Sequence, residues 1–224
     1  MVYAVTRQPE KNPLILFLFV ITPLCWALEL DNHLLDYAEG KFGPAARNRL
    51  LQWQTLANST TSTNELETLK KVNAFFNQSK FVSDRKHWGR EDYWATPVEM
   101  LITNAGDCED YSIAKYFTLR ELGVPDEKLR ITYVKALELN QAHMILAYYA
   151  TPTSEPLILD NLIDSIKPAS KRSDLAPVYS FNGEGLWLSR LRGQGERIGD
   201  ASKLDRWVDV NKRLLNEISS KVNE

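Results

Sequence analysis

The stretch Leu129-Arg-Ile-Thr-Tyr-Val-Lys-Ala-Leu137 alternates along its length and is rich in β-branched and aromatic residues, the pattern of a strand. Two shorter runs follow it, His143-Met-Ile-Leu-Ala-Tyr-Tyr149 and Leu157-Ile-Leu159, with the turn-forming Thr151-Pro-Thr-Ser-Glu-Pro156 between them. Upstream the spacing is helical. Ile113, Ala114, Phe117 and Leu122 recur at helical intervals beyond Asp110, and Gly123-Val-Pro125 ends that helix. Helices followed by a meander of strands predict an α+β domain with an antiparallel sheet.

Further toward the N-terminus, Pro44 opens a stretch with Leu50, Leu51, Trp53 and Leu56 at helical spacing, which stops at the polar run 58–63. A second helix reads through Leu66, Leu69, Val72, Phe75 and Phe76 from Asn64-x-x-Glu67, which resembles a capping box. Residues 77–94 are polar, aromatic and irregular, and Pro97 starts a short helix through Val98, Met100 and Leu101. At the far end Leu204, Trp207, Val208, Leu214, Leu215 and Ile218 predict another amphipathic helix. These apolar stripes are core.

The chain has 224 residues, 44% hydrophobic and 25% charged, with ten Gly and ten Pro and no biased run. That is material for one packed domain, and it excludes a disordered or collagen-like chain. A formal net charge of -2 without a basic stripe argues against nucleic acid as a partner, since phosphate neutralisation needs clustered Lys and Arg.

Residues 1–12 carry Arg7 and Lys11 against Glu10, and Leu14-Ile-Leu-Phe-Leu-Phe-Val-Ile21 then runs apolar to Thr22-Pro23, with Ala27 ahead of the acidic Glu29 and Asp31. This has the three parts of a secretory signal, and the run is shorter than the ~20 residues that a membrane span needs. The expectation is a signal peptide at 1–27, a single domain at 28–224, and a periplasmic location. An uncleaved anchor is the other reading. Pro23-Leu24 ahead of Cys25 lacks the small residue that lipoprotein processing wants. Residues 28–224 hold one thiol, Cys108, so no disulfide forms within them.

Cys108 sits in Gly106-Asp-Cys-Glu-Asp-Tyr111, where a loop enters a helix. Backbone N–H groups at a helix start stabilise a thiolate, but a nucleophile also needs a base and a group to orient that base. Of the three histidines, His33 lies near the N-terminus, His87 in the polar segment and His143 at the mouth of a strand. A hairpin centred on Thr151-Pro152 sets His143 opposite Asp160, which supplies base and orienter on adjacent strands. Each also has an ordinary role, His143 as a satisfied strand histidine and Asp160 as a turn or cap beside Asn161.

Asp107, Glu109 and Asp110 oppose that chemistry. A carboxylate about 6 Å from a thiolate costs it roughly 3 kcal/mol at an effective dielectric of 20, about two pKa units the wrong way. A bound divalent cation reverses the local sign, and hard carboxylate oxygens suit Ca²⁺. The plainer alternative is that the acids favour the helix start. Calcium takes six to eight oxygens; Asp84, Glu91 and Asp92 are further donors that spacing does not select.

The runs Gly106-Asp-Cys-Glu-Asp-Tyr-Ser-Ile-Ala-Lys-Tyr-Phe117, Leu122-Gly-Val-Pro125, Thr132-Tyr-Val-Lys-Ala136, Asn140-Gln-Ala-His-Met144 and Leu159-Asp-Asn-Leu162 resemble the LapG-like bacterial transglutaminase-like cysteine proteases. Tyr93-Trp-Ala-Thr-Pro97 and Tyr179-Ser-Phe-Asn182 extend the resemblance over roughly residues 65–190. It implies a papain-like or transglutaminase-like α+β core, with N-terminal helices and the nucleophile at a helix N-terminus packed on the antiparallel sheet. It also implies a periplasmic protease that clips the N-terminal region of a large surface adhesin near a pair of alanines and so releases biofilm cells.

Carried over by residue, the resemblance makes Cys108 the nucleophile, His143 the base and later acid, and Asp160 the orienter. It makes Asp107 and Glu109 calcium ligands, with Asp110 as the third candidate. It implies as partner a LapD-like inner-membrane receptor that binds cyclic di-GMP on its cytoplasmic side and sequesters the protease on its periplasmic side. The Cys108 backbone N–H is the expected oxyanion donor, with Asn104 and Gln141 as candidates for a second. An inactive calcium-binding module and a transglutaminase or amidase are the alternatives.

Overall fold

The computed structural model describes residues 28–59, 64–188 and 195–218. The signal expected at residues 1–27, with Cys25, lies outside the described residues, as do residues 60–63 of the polar run.

Three helices come first, α1 (Asn32–Phe42), α2 (Pro44–Ala57) and α3 (Glu65–Phe76). Strand β1 (Lys80–Phe81), the single turn α4 (Asp84–His87), α5 (Pro97–Thr103), β2 (Ala105–Gly106) and α6 (Cys108–Glu121) follow. Seven strands come next: β3 (Leu129–Ala136), β4 (Gln141–Tyr148), β5 (Leu157–Leu159), β6 (Lys167–Pro168), β7 (Leu175–Phe181), β8 (Leu186–Leu188) and β9 (Glu196–Gly199). Helix α7 (Asp205–Ile218) closes the described chain. The expected α+β order is present, with α1 as an unanticipated addition. Asp31 caps α1 by accepting from the His33 N–H, and the helix buries only Leu35 and Ala38, too thin a stripe to read in sequence.

Strands β3 to β9 form one sheet in the order β6-β5-β4-β3-β7-β8-β9, every neighbouring pair antiparallel. Its outer strands are the two-residue β6 and the charged β9. The β4–β5 register differs from expectation. A turn centred on Thr151-Pro152 sets Leu146 opposite Leu157, whereas Leu146 pairs with Leu159. The slip is two residues, which moves the partners along the strand and keeps every side chain on its own face. His143 and Asp160 are therefore diagonal neighbours on one face instead of a directly opposed pair.

Alternation divides the sheet. Leu129 and Ile131 of β3, Met144, Leu146 and Tyr148 of β4, and Phe181 of β7 join the main core with Leu50, Trp53, Leu69, Phe76, Ile113 and Leu119 of the helices. On the other face Val134, Ile145, Ala147, Tyr149 and Ile158 make a smaller cluster. Helix α6 is buried on nearly every side, packed against α3, α5 and β4, so its first residue is held by rigid neighbours. Helix α7 turns Trp207, Val210 and Leu214 inward, and Trp207 stacks on Phe117 at 5.4 Å between ring centres. Val208 and Leu215, expected in that stripe, are 46% and 59% exposed because they flank it.

The capping box expected at Asn64-x-x-Glu67 is half formed: Asn64 accepts from the Leu66 N–H, while Glu67 pairs with Lys70 at 2.8 Å. A complete one stands at α5, where the Thr96 side chain accepts from the Glu99 N–H and Glu99 accepts from the Thr96 N–H.

Trp53 is fully buried and its indole N–H donates to Thr118 Oγ1 at 2.7 Å, tying α2 to α6. Truncation leaves a cavity and takes one donor from the Thr118 hydroxyl, which keeps its own bond to the Ala114 carbonyl at 2.8 Å, so Trp53→Ala is expected to cost about 3–5 kcal/mol in urea unfolding, with the denaturant slope unchanged.

Candidate active site

The loop before α6 is set by backbone pairing. The Lys80 and Val82 N–H groups donate to the Asn104 and Gly106 carbonyls at 3.1 and 3.0 Å, which forms the parallel β1–β2 pair. Asn104 is the left-handed residue after α5 (φ 55°), so its identity serves that turn, and it does not line the cavity where Cys108 opens. Gly106 permits a close approach: a Cβ there would lie 2.8 Å from the Cβ and Oδ2 of Asp110. Asp110 in turn accepts from the Asp107 N–H at 3.1 Å and from the Ala95 N–H at 2.7 Å, so its carboxylate closes the first turn of α6 and fastens it to the 92–96 segment.

Cys108 is the first residue of α6 and opens into a cavity of about 320 Å³, whose lining includes His143, Met144, Gln141, Tyr133 and Phe81. Its Sγ donates to Glu109 Oε2 at 2.7 Å. Burial pushes the Cys108 thiol up, the Glu109 and Asp107 charges push it further, and the Met144 backbone N–H opposes them. These surroundings disfavour the thiolate. His33 is exposed on α1, and His87 contacts Thr103 Oγ1 at 3.0 Å and packs edge-on to Trp88. Neither lines the cavity.

His143 is buried and its Nε2 meets Asp160 Oδ1 at 2.8 Å. Burial raises the Asp160 carboxyl, but the hydrogen bond and charge of His143, the Leu162 N–H at 3.0 Å and the Arg172 guanidinium outweigh it and hold the group at about 2. Arg172 Nη2 reaches Asp160 Oδ2 at 2.7 Å and Asp174 Oδ2 at 2.8 Å. Asn77 at the end of α3 donates to the Asp160 carbonyl at 2.9 Å and to Asp164 Oδ1 at 2.8 Å. Sequence reading found the His143–Asp160 pair and missed Arg172 and Asn77. An arginine twelve residues after an aspartate has no periodicity to mark it.

The acids gather as a second constellation. Carboxylate oxygens of Asp84, Asp107 and Asp110 lie within 4.8 Å of one another, as do those of Asp84, Asp92 and Glu109. Asp84 is buried; its Oδ2 accepts from the Tyr93 N–H, while Oδ1 is buried without a hydrogen bond, as is Asp107 Oδ1. Burial first, and then the neighbouring carboxylates, lift Asp84 to about 6 and Asp107 to about 10, and burial lifts Asp110 well above its ordinary value. Two orphaned buried oxygens among crowded carboxylates are the donor set of a hard divalent cation. The three acids singled out from sequence are all here, joined by Asp84 and Asp92. Glu91 stays at the rim, opposite Arg85 at 3.7 Å with both side chains largely exposed.

Two outcomes follow from these charges. A carboxyl whose folded pKa is raised holds its proton more tightly folded than unfolded, so stability falls as pH climbs from its ordinary value to the raised one. For Asp84 the window runs from 3.8 to about 6. In a chelator the thermal midpoint is expected to drop across that window, and Asp84→Asn to flatten the drop. Arg172→Met takes the cation from the buried Asp160 carboxylate and leaves it only the hydrogen bonds of His143 and the Leu162 N–H, and breaking a buried pair in this way is expected to cost about 3–5 kcal/mol in urea unfolding.

Residues 49–176 match the family described as bacterial transglutaminase-like cysteine proteinase BTLCP. Among solved structures, Legionella pneumophila LapG in an EGTA-treated form is 45% identical with a TM-score of 0.72, the match covering 84% of this chain and 99% of that one. The calcium-bound form of the same Legionella protein is 46% identical with a TM-score of 0.69, covering 81% and 97%. No curated protein matches. A matched segment that contains Cys108, His143 and Asp160, and close likeness over most of the length of LapG, mean that this chain belongs to the bacterial transglutaminase-like cysteine proteinases.

Proposed function

We propose that the protein is a calcium-dependent periplasmic endopeptidase that cleaves the N-terminal region of a large surface adhesin near a dialanine site, releasing the adhesin and dispersing biofilm. The observation that carries this reading is Cys108 opening at a helix start into the same cavity as a histidine already held by a buried, ionised aspartate. Because Asp160 is ionised it accepts from Nε2–H, which leaves the Nδ1 lone pair of His143 to take the proton of the thiol.

Cys108 Sγ attacks the scissile carbonyl, and His143, now protonated, gives its proton to the leaving amine as the peptide C–N bond breaks. Water then attacks the thioester with His143 as base and returns the thiol. The Cys108 backbone N–H, at the first turn of α6, is the proposed oxyanion donor. Gln141, exposed at the cavity wall, is the remaining candidate for a second. Arg172 and Asn77 hold Asp160 in place and so fix the imidazole plane.

Asp107, Glu109, Asp110 and Asp84 would hold the calcium ion, with Asp92 beside them. When bound, calcium supplies positive charge among these acids, which lowers the cost of a thiolate at Cys108. The Legionella relative in a calcium-bound form supports the choice of ion. The leader-like residues 1–27 support the periplasm, and family membership supports a LapD-like inner-membrane cyclic di-GMP receptor as the partner that sequesters the enzyme.

The test is cleavage of an adhesin N-terminal fragment with calcium and with a chelator. Cutting at one site is expected only with calcium and not at all in Cys108→Ala, and His143→Ala is expected to lower kcat/KM by about 10²–10⁴. A folded, calcium-loaded protein that leaves the fragment intact overturns the reading and favours a binding module; ammonia release without chain cleavage favours a transamidase.

A further inference from the structure

Helix α7 carries none of the candidate catalytic or cation-binding residues, yet its arginines grip the segment that holds the acids. Arg213 Nη2 donates to the Trp94 carbonyl and Nη1 to Glu99 Oε2, and its guanidinium lies 4.7 Å from the centre of the Tyr93 ring. Tyr93 Oη donates to the other oxygen of Glu99 at 2.7 Å, and Arg213 Nε is braced by Asp209 Oδ2 at 2.8 Å. At the start of the helix, Arg206 Nη2 meets Asp92 Oδ2 at 2.9 Å and Nε reaches the Asp92 carbonyl at 3.3 Å.

Each gripped carbonyl is one end of a peptide unit whose other end faces an acid. The Trp94 carbonyl and the Ala95 N–H belong to one planar group, and that N–H donates to Asp110 Oδ1 at 2.7 Å. The Asp92 carbonyl and the Tyr93 N–H belong to another, and that N–H donates to Asp84 Oδ2. Two relays therefore run arginine, peptide, carboxylate. A cation on the carbonyl polarises the peptide toward its N–H end and, since the unit is planar, fixes where that N–H points. Asp84 and Asp110 are aimed by groups whose own orientation is set from α7.

We propose that Arg213, supported by Arg206, is a positioning residue for the cation site, so that calcium affinity depends on a helix that supplies no ligand. This rests on the calcium reading above. Removing Arg213 frees the Trp94–Ala95 peptide to rotate, and Asp110 then loses the donor that aims one of its oxygens. Substitution of a group that orients a metal ligand typically weakens metal binding by about 10–100-fold. Arg206, about half exposed and bound more loosely to its carbonyl, has the smaller effect.

The experiment is calorimetric titration of the full chain with calcium alone, for the wild type, Arg213→Met, Arg213→Lys, Arg206→Met and Arg197→Met, paired with thermal midpoints in chelator and in calcium. Among the described residues Arg197 pairs with Asp200 after β9 and with the Glu184 carbonyl in the turn before β8, and it serves as the control. Arg213→Met is expected to weaken calcium binding at least about tenfold and to shrink the rise in thermal midpoint that calcium produces. Arg213→Lys, which keeps the charge and loses the fork, falls between it and the wild type. Arg197→Met matches the wild type.

A purely structural role lowers the midpoint equally with and without calcium and leaves the affinity unchanged, and that result overturns the proposal. If Arg213→Met does not fold, Arg206→Met decides: unchanged calcium affinity there overturns it. A wild-type protein that binds no calcium overturns the calcium reading itself, whereas wild-type binding with unaltered variants overturns the role of α7 alone.

Discussion

Charge crowding at the first turn of α6 is the constraint around which the rest is arranged. Asp84, Asp107 and Asp110 bring like charges together where little water reaches them, with Glu109 and the exposed Asp92 beside them, and buried carboxylates crowded in this way either keep protons or find a cation. The fold meets this in two ways. Backbone N–H groups from the 92–96 segment and from Asp107 itself are aimed at the acids, and arginines of α7 hold that segment from behind. What these donors leave unmet are the buried oxygens of Asp84 and Asp107.

The second acid environment is the reverse of the first. Asp160 is as deeply buried as Asp110, yet it stays ionised because a histidine, an arginine and a backbone N–H surround it. The two buried carboxylates have opposite electrostatic characters. Asp160 holds the imidazole of His143, whereas burial first, and then Glu109 and Asp107, disfavour a thiolate at Cys108. In the proposed chemistry the base is oriented by its aspartate and the nucleophile draws on the charge of the cation.

Much of this was legible in the sequence because it is local. Gly106-Asp-Cys-Glu-Asp-Tyr111 announces a helix start with a thiol, and alternation in residues 129–159 announces the sheet, since both patterns act within a few residues. The hairpin register was legible to within two residues, and the even slip preserved the pairing of His143 with Asp160 because side-chain direction repeats every second residue. Asp84 was legible only as one of three further donors that spacing could not choose between, and Arg172, Asn77, Arg206 and Arg213 were not legible as site residues. Each acts across a separation that only tertiary packing closes, as Arg213 does in reaching Trp94 from the far end of the chain. Helix α1 went unread for the opposite reason, since its buried stripe is two residues wide.

The two rims of the large sheet bear on how the molecule behaves beside its own copies. Strand β6 is Lys167–Pro168, and proline has no amide hydrogen to give a newcomer, while the lysine charge would have to be stripped of water for another chain to lie alongside. At the opposite rim β9 presents Glu196 and Arg197, and its ladder to β8 is broken by an irregularity between Leu186 and Trp187. A strand approaching either rim meets an interrupted row of donors and acceptors. The long antiparallel ladders of β3 with β4 and β7 stay in the interior, out of reach of self-templated aggregation.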